Sequence, residues 1–128
     1  MNNNPLYQDK LPFCTVSVYA DYVYAIMDEG ITVHAEYNDI LLELVHNFIE
    51  TDPFVYITHR KNSYAVDPTI YIETAKIKNL TGFIVIDEGK SKDDVLNFER
   101  SFFKKPFIKC STLEEALIAK NKIIAMRI

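Results

Sequence analysis

Two stretches of the chain are continuously apolar, Phe-Val-Tyr-Ile at 54–57 and Phe-Ile-Val-Ile at 83–86. Short runs of β-branched and aromatic side chains are typical of strands covered on both faces, as the interior strands of a parallel sheet are. The pattern therefore predicts two interior strands. A third, shorter strand is predicted at 107–110, directly after the Lys-Lys-Pro that ends a helical stretch.

The first part of the chain has an alternating pattern. From 12 to 20, larger apolar residues alternate with small polar ones, which predicts a strand with one face more exposed. Residues 22–27 predict a second strand, and the short link between the two implies an antiparallel hairpin. Residues 1–11 are polar and are expected to be loose. By length the rest is one domain, spanning 12–128.

Helices are predicted where apolar residues recur three and four positions apart. The first has the broadest apolar stripe, which comprises Tyr37, Ile40, Leu41, Leu44, Val45 and Phe48. The sequence Thr51-Asp52-Pro53 ends this helix, because proline removes a backbone donor and restricts the residue before it. A second helix is predicted from about Pro68 to Asn79, with a weaker stripe.

Two further helices are expected in the C-terminal part. The third begins near Ser91, which with Asp94 resembles a capping box, and its apolar line is Val95, Phe98 and Phe102. The fourth is capped by Ser111 or Thr112, with Glu114 and Glu115 at capping-box distance. Its buried side is expected to comprise Leu113, Ala116, Leu117, Ile123 and Ile124. The element order is β-β-α-β-α-β-α-β-α. It predicts an α/β fold with a mixed, mainly parallel sheet and an antiparallel N-terminal hairpin strand.

The formal net charge of the 128-residue chain is −4, which argues against a general nucleic-acid surface. No apolar run approaches the ~20 residues that span a membrane, and the N-terminus lacks the features of a signal peptide. A cytoplasmic location is the resulting expectation. Cys14 and Cys110 are then expected to be free thiols in a reducing compartment.

The candidate site follows the central strand, where the chain changes abruptly from apolar to polar. Carboxyl ends of strands in open α/β sheets are where ligands bind, so we predict binding by His59, Arg60, Asn62, Ser63 and Tyr64. The basic side chains could hold an anion, and Ser63 is a candidate phospho-acceptor. The alternative to anion binding is a solvated loop in which Arg60 pairs with a nearby carboxylate of the chain. The alternative for Ser63 is a hydrogen bond from its hydroxyl to the backbone, without a further function.

Other chemistries have weak signals. The three histidines lack the i, i+4 spacing of a helical zinc site and the cysteines are isolated, so no metal is expected. The three glycines are too widely spaced for a phosphate loop, and no cofactor is expected. Asp87-Glu88 after the second apolar run could hold Mg²⁺, or could cap the next turn. A cysteine–histidine nucleophile pair stays open, since such partners meet in space.

The chain starts with a hairpin, continues in βα units and contains the segment Thr58-His59-Arg60-Lys61-Asn62-Ser63-Tyr64-Ala65-Val66-Asp67-Pro68. In these features it resembles STAS/SpoIIAA-like domains, the fold of anti-sigma factor antagonists. More closely, the chain resembles small SpoIIAA-like proteins of the Bacteroidetes group. The resemblance implies a non-catalytic regulatory or protein-interaction module. Anti-sigma antagonists carry Asp-Ser-Gly at their phosphorylated serine, where this chain has Asn62-Ser63-Tyr64.

We therefore expect a non-catalytic module with a protein partner. Tyr19, Tyr22 and Tyr24 cluster at the hairpin, where large aromatics suggest a surface covered by a partner or by a second copy in a homodimer. They could equally pack on adjacent helices. A carrier of a lipid or other small molecule, held between sheet and helices, is the second interpretation. A small enzyme that uses the 58–67 loop is the third.

Overall fold

The structure is a computed structural model that describes residues 4–62, 64–88 and 93–126, with only the backbone described at 93–95. The strands are β1 (Tyr7–Lys10), β2 (Cys14–Val18), β3 (Tyr22–Met27), β4 (Thr32–Val33), β5 (Phe54–His59), β6 (Ala65–Val66), β7 (Leu80–Ile86) and β8 (Phe107–Cys110). The helices are α1 (Ala35–His46), α2 (Thr69–Thr74), α3 (Asp93–Arg100) and α4 (Leu113–Met126).

The main sheet has six strands in the order β1-β2-β3-β5-β7-β8. The first three are antiparallel, while β3, β5, β7 and β8 are parallel to one another. The predicted α/β class with a mixed, mainly parallel sheet is confirmed. The two continuously apolar runs are interior strands, as predicted. The short strands β4 and β6 form a separate parallel pair, and β1, β4 and β6 add to the predicted element order.

Helices cover the two faces of the sheet unequally. On one face, α1, α2 and α3 bury residues such as Leu41, Tyr71 and Leu96 in the larger apolar core. On the other face, α4 buries Ala116 and Ile123 against β5 and β7. On this second face, α4 therefore covers the parallel half of the sheet.

The buried side of α1 differs from the predicted stripe. Leu41 and Val45 are buried as expected, but Ile40 and Phe48 are exposed, and Asn38 is buried instead. The Asn38 side chain donates to the Thr74 hydroxyl at 2.9 Å, which satisfies a polar group that apolar periodicity cannot anticipate. The ring of Phe48 stacks on that of Tyr7, outside the central core.

The segment expected to be loose contains β1, which pairs antiparallel with β2. Two side-chain contacts anchor it. Tyr7 stacks on Phe48 with the ring centroids 4.9 Å apart, and the Lys10 ammonium pairs with Asp28 at 2.8 Å. Both contacts join residues distant in sequence, so local composition did not reveal the strand.

Several helix boundaries also differ from expectation. α2 ends five residues before Asn79, and β7 begins at Leu80. The Lys105 ammonium holds the connection between them by donating to the carbonyls of Ile77 and Leu80. The Asn79 side chain donates to the Asp52 carbonyl, in the connection before β5. In the third helix Phe98 is exposed, contrary to the prediction, while Leu96 is buried. The predicted Ser91–Asp94 capping box lies outside the described side chains.

The predicted cap of α4 is confirmed at Thr112. Its hydroxyl accepts the Glu115 backbone N–H at 3.1 Å, and the Glu115 carboxylate accepts the Ser111 N–H at 2.7 Å. Two orphan donors at the helix start are thereby satisfied, as in a capping box. Leu113, expected on the buried side, is 38% exposed.

Candidate functional site

The polar segment after the central strand is folded inward more than the sequence predicts. β5 continues through His59, which lies opposite Ile86 of β7, so the strand takes up the first residue of the predicted loop. The Arg60 N–H donates to the Ile86 carbonyl at 2.9 Å, and Arg60 is only 6% exposed. Successive side chains of a strand alternate between faces. His59 and Arg60 consequently lie on opposite faces of the sheet.

Arg60 lies in a buried polar cluster with α2 and α3. Its guanidinium donates to the Glu99 carboxylate, which also accepts the Tyr71 hydroxyl at 3.0 Å. Burial alone lowers the pKa of Arg60, but Tyr64, Tyr71 and Glu99 outweigh burial and hold the pKa above its ordinary value. Burial and then Glu99 raise the pKa of Tyr71. The alternative in which a carboxylate binds Arg60 is therefore found, with Glu99 as the partner.

The other predicted site residues also make internal contacts. The Tyr64 hydroxyl lies 3.3 Å from that of Thr58, and the Arg60 guanidinium lies 5.6 Å from the centre of the Tyr64 ring. The Asn62 side chain donates to the Met27 carbonyl at 2.9 Å. Ser63, the candidate phospho-acceptor, lies outside the described residues. A binding role for this segment stays a prediction, while its contacts show a structural role.

On the opposite face, His59 lies between a tyrosine and a carboxylate. Its Nδ1 is 2.7 Å from the Tyr24 hydroxyl, and its Nε2 is 3.9 Å from a Glu88 carboxylate oxygen. Burial raises the pKa of Tyr24, which keeps the phenol protonated at neutral pH. No group of three or more metal-ligating side chains occurs among the described residues.

Neither cysteine is activated as a nucleophile. Both are free, as predicted. Burial raises the pKa of Cys14 to about 12 and that of Cys110 to about 11. The thiolate is the reactive form of cysteine, and burial favours the protonated form of both thiols at neutral pH.

A groove with a volume of about 970 Å³ lies between α4 and the edge of the sheet at β8. We call it the α4–β8 groove. Its apolar lining comprises Leu80, Pro106, Ile108, Ile118, Ala119, Ile123 and Met126, with Cys110 beside them. Ile118 is 58% exposed and Met126 is 79% exposed, so the helix presents apolar surface to solvent here.

Charged residues are unevenly distributed along the groove. Lys78, Lys105 and Lys122 line the end where β7 and β8 begin. Lys109 lies at the other end, where Glu115 offers an opposite charge. The Lys105 ammonium donates to the carbonyls of Ile77 and Leu80 at 2.5 and 2.6 Å, which fixes its position.

The sequence did not point to this groove. Its walls come from β7, β8 and α4 and from the connections before both strands, and no motif joins them. One signal was present: Ile118 and Met126 fall outside the buried stripe predicted for the fourth helix. Apolar residues on the exposed side of an amphipathic helix are a signal of a binding surface.

Two smaller cavities lie beside the first helices. One, of about 20 Å³, is lined by residues that include Tyr37, Leu41 and Tyr56, and its volume suits about one water molecule. The other, of about 280 Å³, lies where Val45 of α1 meets Phe54 of β5 and Ile77. Both are smaller than the α4–β8 groove.

Searches with this chain matched no family model, no curated protein and no solved structure. The STAS/SpoIIAA-like resemblance therefore stays a prediction. Among the described residues, no helix combines the length and the apolar character that crossing a membrane requires.

Proposed function

We propose that this chain is a non-catalytic ligand-binding domain and that its ligand lies in the α4–β8 groove. The groove itself is the observation that carries the proposal. Its volume of about 970 Å³ falls within the range of about 300–1,000 Å³ typical of small-molecule sites. Such sites combine a mainly apolar lining with a few polar groups, as this groove does.

The side chains around the groove support binding without catalysis. Cys110 is the one thiol in its lining, and burial raises the pKa of this thiol to about 11. Glu115, the one carboxylate among the described residues of the lining, accepts the Ser111 N–H in the helix cap. Neither group is therefore poised as a nucleophile or general base.

The groove can be tested with one substitution and one matched control. Ile118→Glu places a charge on its apolar wall, while Ile72→Glu alters an exposed isoleucine of α2, which is 43% exposed and outside the groove. We expect the fluorescent probe anilinonaphthalene sulfonate to bind the wild type and Ile72→Glu, and to bind Ile118→Glu much more weakly. Thermal unfolding should be alike for the three proteins. Equal probe binding by both variants would place the site elsewhere.

A protein-interaction module is the second candidate, and the arrangement of tyrosines favours it. Tyr19 stacks on Tyr22 with centroids 4.3 Å apart, and Tyr24 is half-buried on the face where α4 covers β5 and β7. A regulatory role of the SpoIIAA type would use such a surface for a protein partner or a second copy. Sedimentation of the wild type and Tyr19→Glu over a range of concentrations tests the homodimer; identical monomeric behaviour would contradict it.

A further inference from the structure

We infer that the ligand of the α4–β8 groove is a long-chain amphiphile with an anionic head group, which lies at the end lined by Lys78, Lys105 and Lys122. The inference rests on the proposed function, since it names the class of ligand that the same groove would take. It depends on the charge distribution and on the shape of the apolar wall.

The charge at the head-group end is opposite to that of the whole molecule. The chain carries a formal net charge of −4, yet the described residues that line the groove include four lysines and one glutamate. Three of those lysines occupy one end, and the glutamate occupies the other. An anionic group is therefore favoured at one end of the groove and not along its length, which suits an amphiphile with a single charged head.

Lysines supply the positive charge at this end of the groove. Lysine is a compact point charge on a flexible stem with three donors, so it can reach an anionic oxygen without a fixed fork geometry. The Lys105 ammonium is held by two carbonyls, so its charge has a fixed position. Lys78 and Lys122 are the other two lysines at this end.

The apolar part of the groove suits a hydrocarbon chain better than a peptide strand. From the lysine end, the wall continues along α4 through Met126, Ile123, Ala119 and Ile118, facing Ile108 of β8. An extended peptide could add to the edge strand only by using its outward backbone groups. The Phe107 carbonyl of that strand already accepts the Arg100 side chain at 3.1 Å. A hydrocarbon chain needs no such bonds.

The test compares two ligands of equal chain length by calorimetric titration, tetradecanoate and tetradecanol. We expect the wild type to bind the carboxylate more tightly, and Lys78→Ala combined with Lys122→Ala to weaken that binding roughly tenfold, through the loss of two exposed charge pairs. Binding of tetradecanol should be unchanged in the double variant. Lys76→Ala is the control, because this exposed lysine pairs with Glu73 outside the groove.

Chain length provides a second measurement. If the tail lies on the apolar wall, affinity should rise about fourfold for each added methylene, as about 0.8 kcal/mol per buried CH₂ implies. Ile118→Glu should abolish this dependence. Equal binding of tetradecanoate and tetradecanol would overturn the inference of an anionic head group and leave ligand binding in place. Binding of neither would overturn both. Binding only to vesicles of mixed phosphatidylcholine and phosphatidylglycerol would assign the surface to membranes and contradict the inference.

Discussion

Arg60 and Glu99 form a buried ion pair that ties the residue after β5 to α3. Their side chains are each 7% exposed, and they lie 39 positions apart in the sequence. Tyr71 of α2 donates to the same carboxylate, so three elements meet at one polar cluster. Arg60, which the sequence analysis predicts to bind an anion, therefore binds the Glu99 carboxylate of its own chain.

Replacing Arg60 by methionine should destabilise the protein strongly. The substitution leaves the Glu99 carboxylate buried without its cation, which costs about 3–5 kcal/mol in comparable cases. A surface loop residue would give a change within about 0.5 kcal/mol. Urea denaturation distinguishes the two outcomes.

The matched control is the double variant Arg60→Met with Glu99→Leu. Replacing both charges by apolar groups of similar volume removes the uncompensated carboxylate, so most of the lost stability should return. Tyr71 would lose its acceptor, so full recovery is not expected. A double variant no more stable than the single one would show that the cost arises from packing around Arg60.

The parts of the fold that depend on local residue patterns could be predicted from the sequence. The runs at 54–57 and 83–86 predicted interior strands because burial on both faces requires continuous apolar residues. A carboxylate partner for Arg60 was one of the predicted alternatives, but its identity could not be predicted, because any of the chain's 18 acidic residues could have been the partner. The groove was missed because it depends on how α4 lies over the sheet edge.

The orientation of α1 yields a second stability prediction. Leu41→Ala should cost about 2–5 kcal/mol, because Leu41 is 1% exposed and truncation leaves a cavity in the core. Leu44, at the centre of the stripe predicted from sequence, is only half-buried, so Leu44→Ala should cost clearly less. Ile40→Ala is the surface control. Chemical denaturation of the three variants gives the ranking, and equal losses at 41 and 44 would support the sequence-based stripe.

A side chain at Gly82 is expected to be crowded by its neighbours. A β-carbon there would lie 3.1 Å from two Ile123 side-chain atoms and 3.3 Å from the Pro106 carbonyl oxygen. Gly82→Ala should therefore destabilise the protein by about 1–3 kcal/mol, as overpacking does. Adding Ile123→Val removes one of the crowding atoms and should restore part of the loss. If the effects of the two substitutions on thermal unfolding simply add, the crowding at position 82 is relieved by movement of atoms other than those of Ile123.

Stability should fall at alkaline pH, and Cys14 should be one cause. Burial raises the pKa of its thiol from 9.0 to about 12. Above pH 9 the unfolded chain loses this proton while the folded protein keeps it, so ionisation favours unfolding. The contribution of the neutral thiol is thus complete below pH 9 and is lost progressively as pH rises towards about 12. Burial likewise raises the pKa of Tyr56, which adds to the loss at higher pH.

The measurement is the pH dependence of the free energy of unfolding in Cys14→Ala and in wild type. The substitution leaves a small cavity, which shifts the whole curve by a constant amount, so the slope above pH 9 is the informative quantity. That slope should be shallower in Cys14→Ala. Cys110→Ala is the matched comparison: its thiol has a pKa raised only to about 11, so its removal should change the slope over a narrower range. Parallel curves for wild type and Cys14→Ala would show that the buried thiol does not contribute, and that the buried tyrosines account for alkaline unfolding.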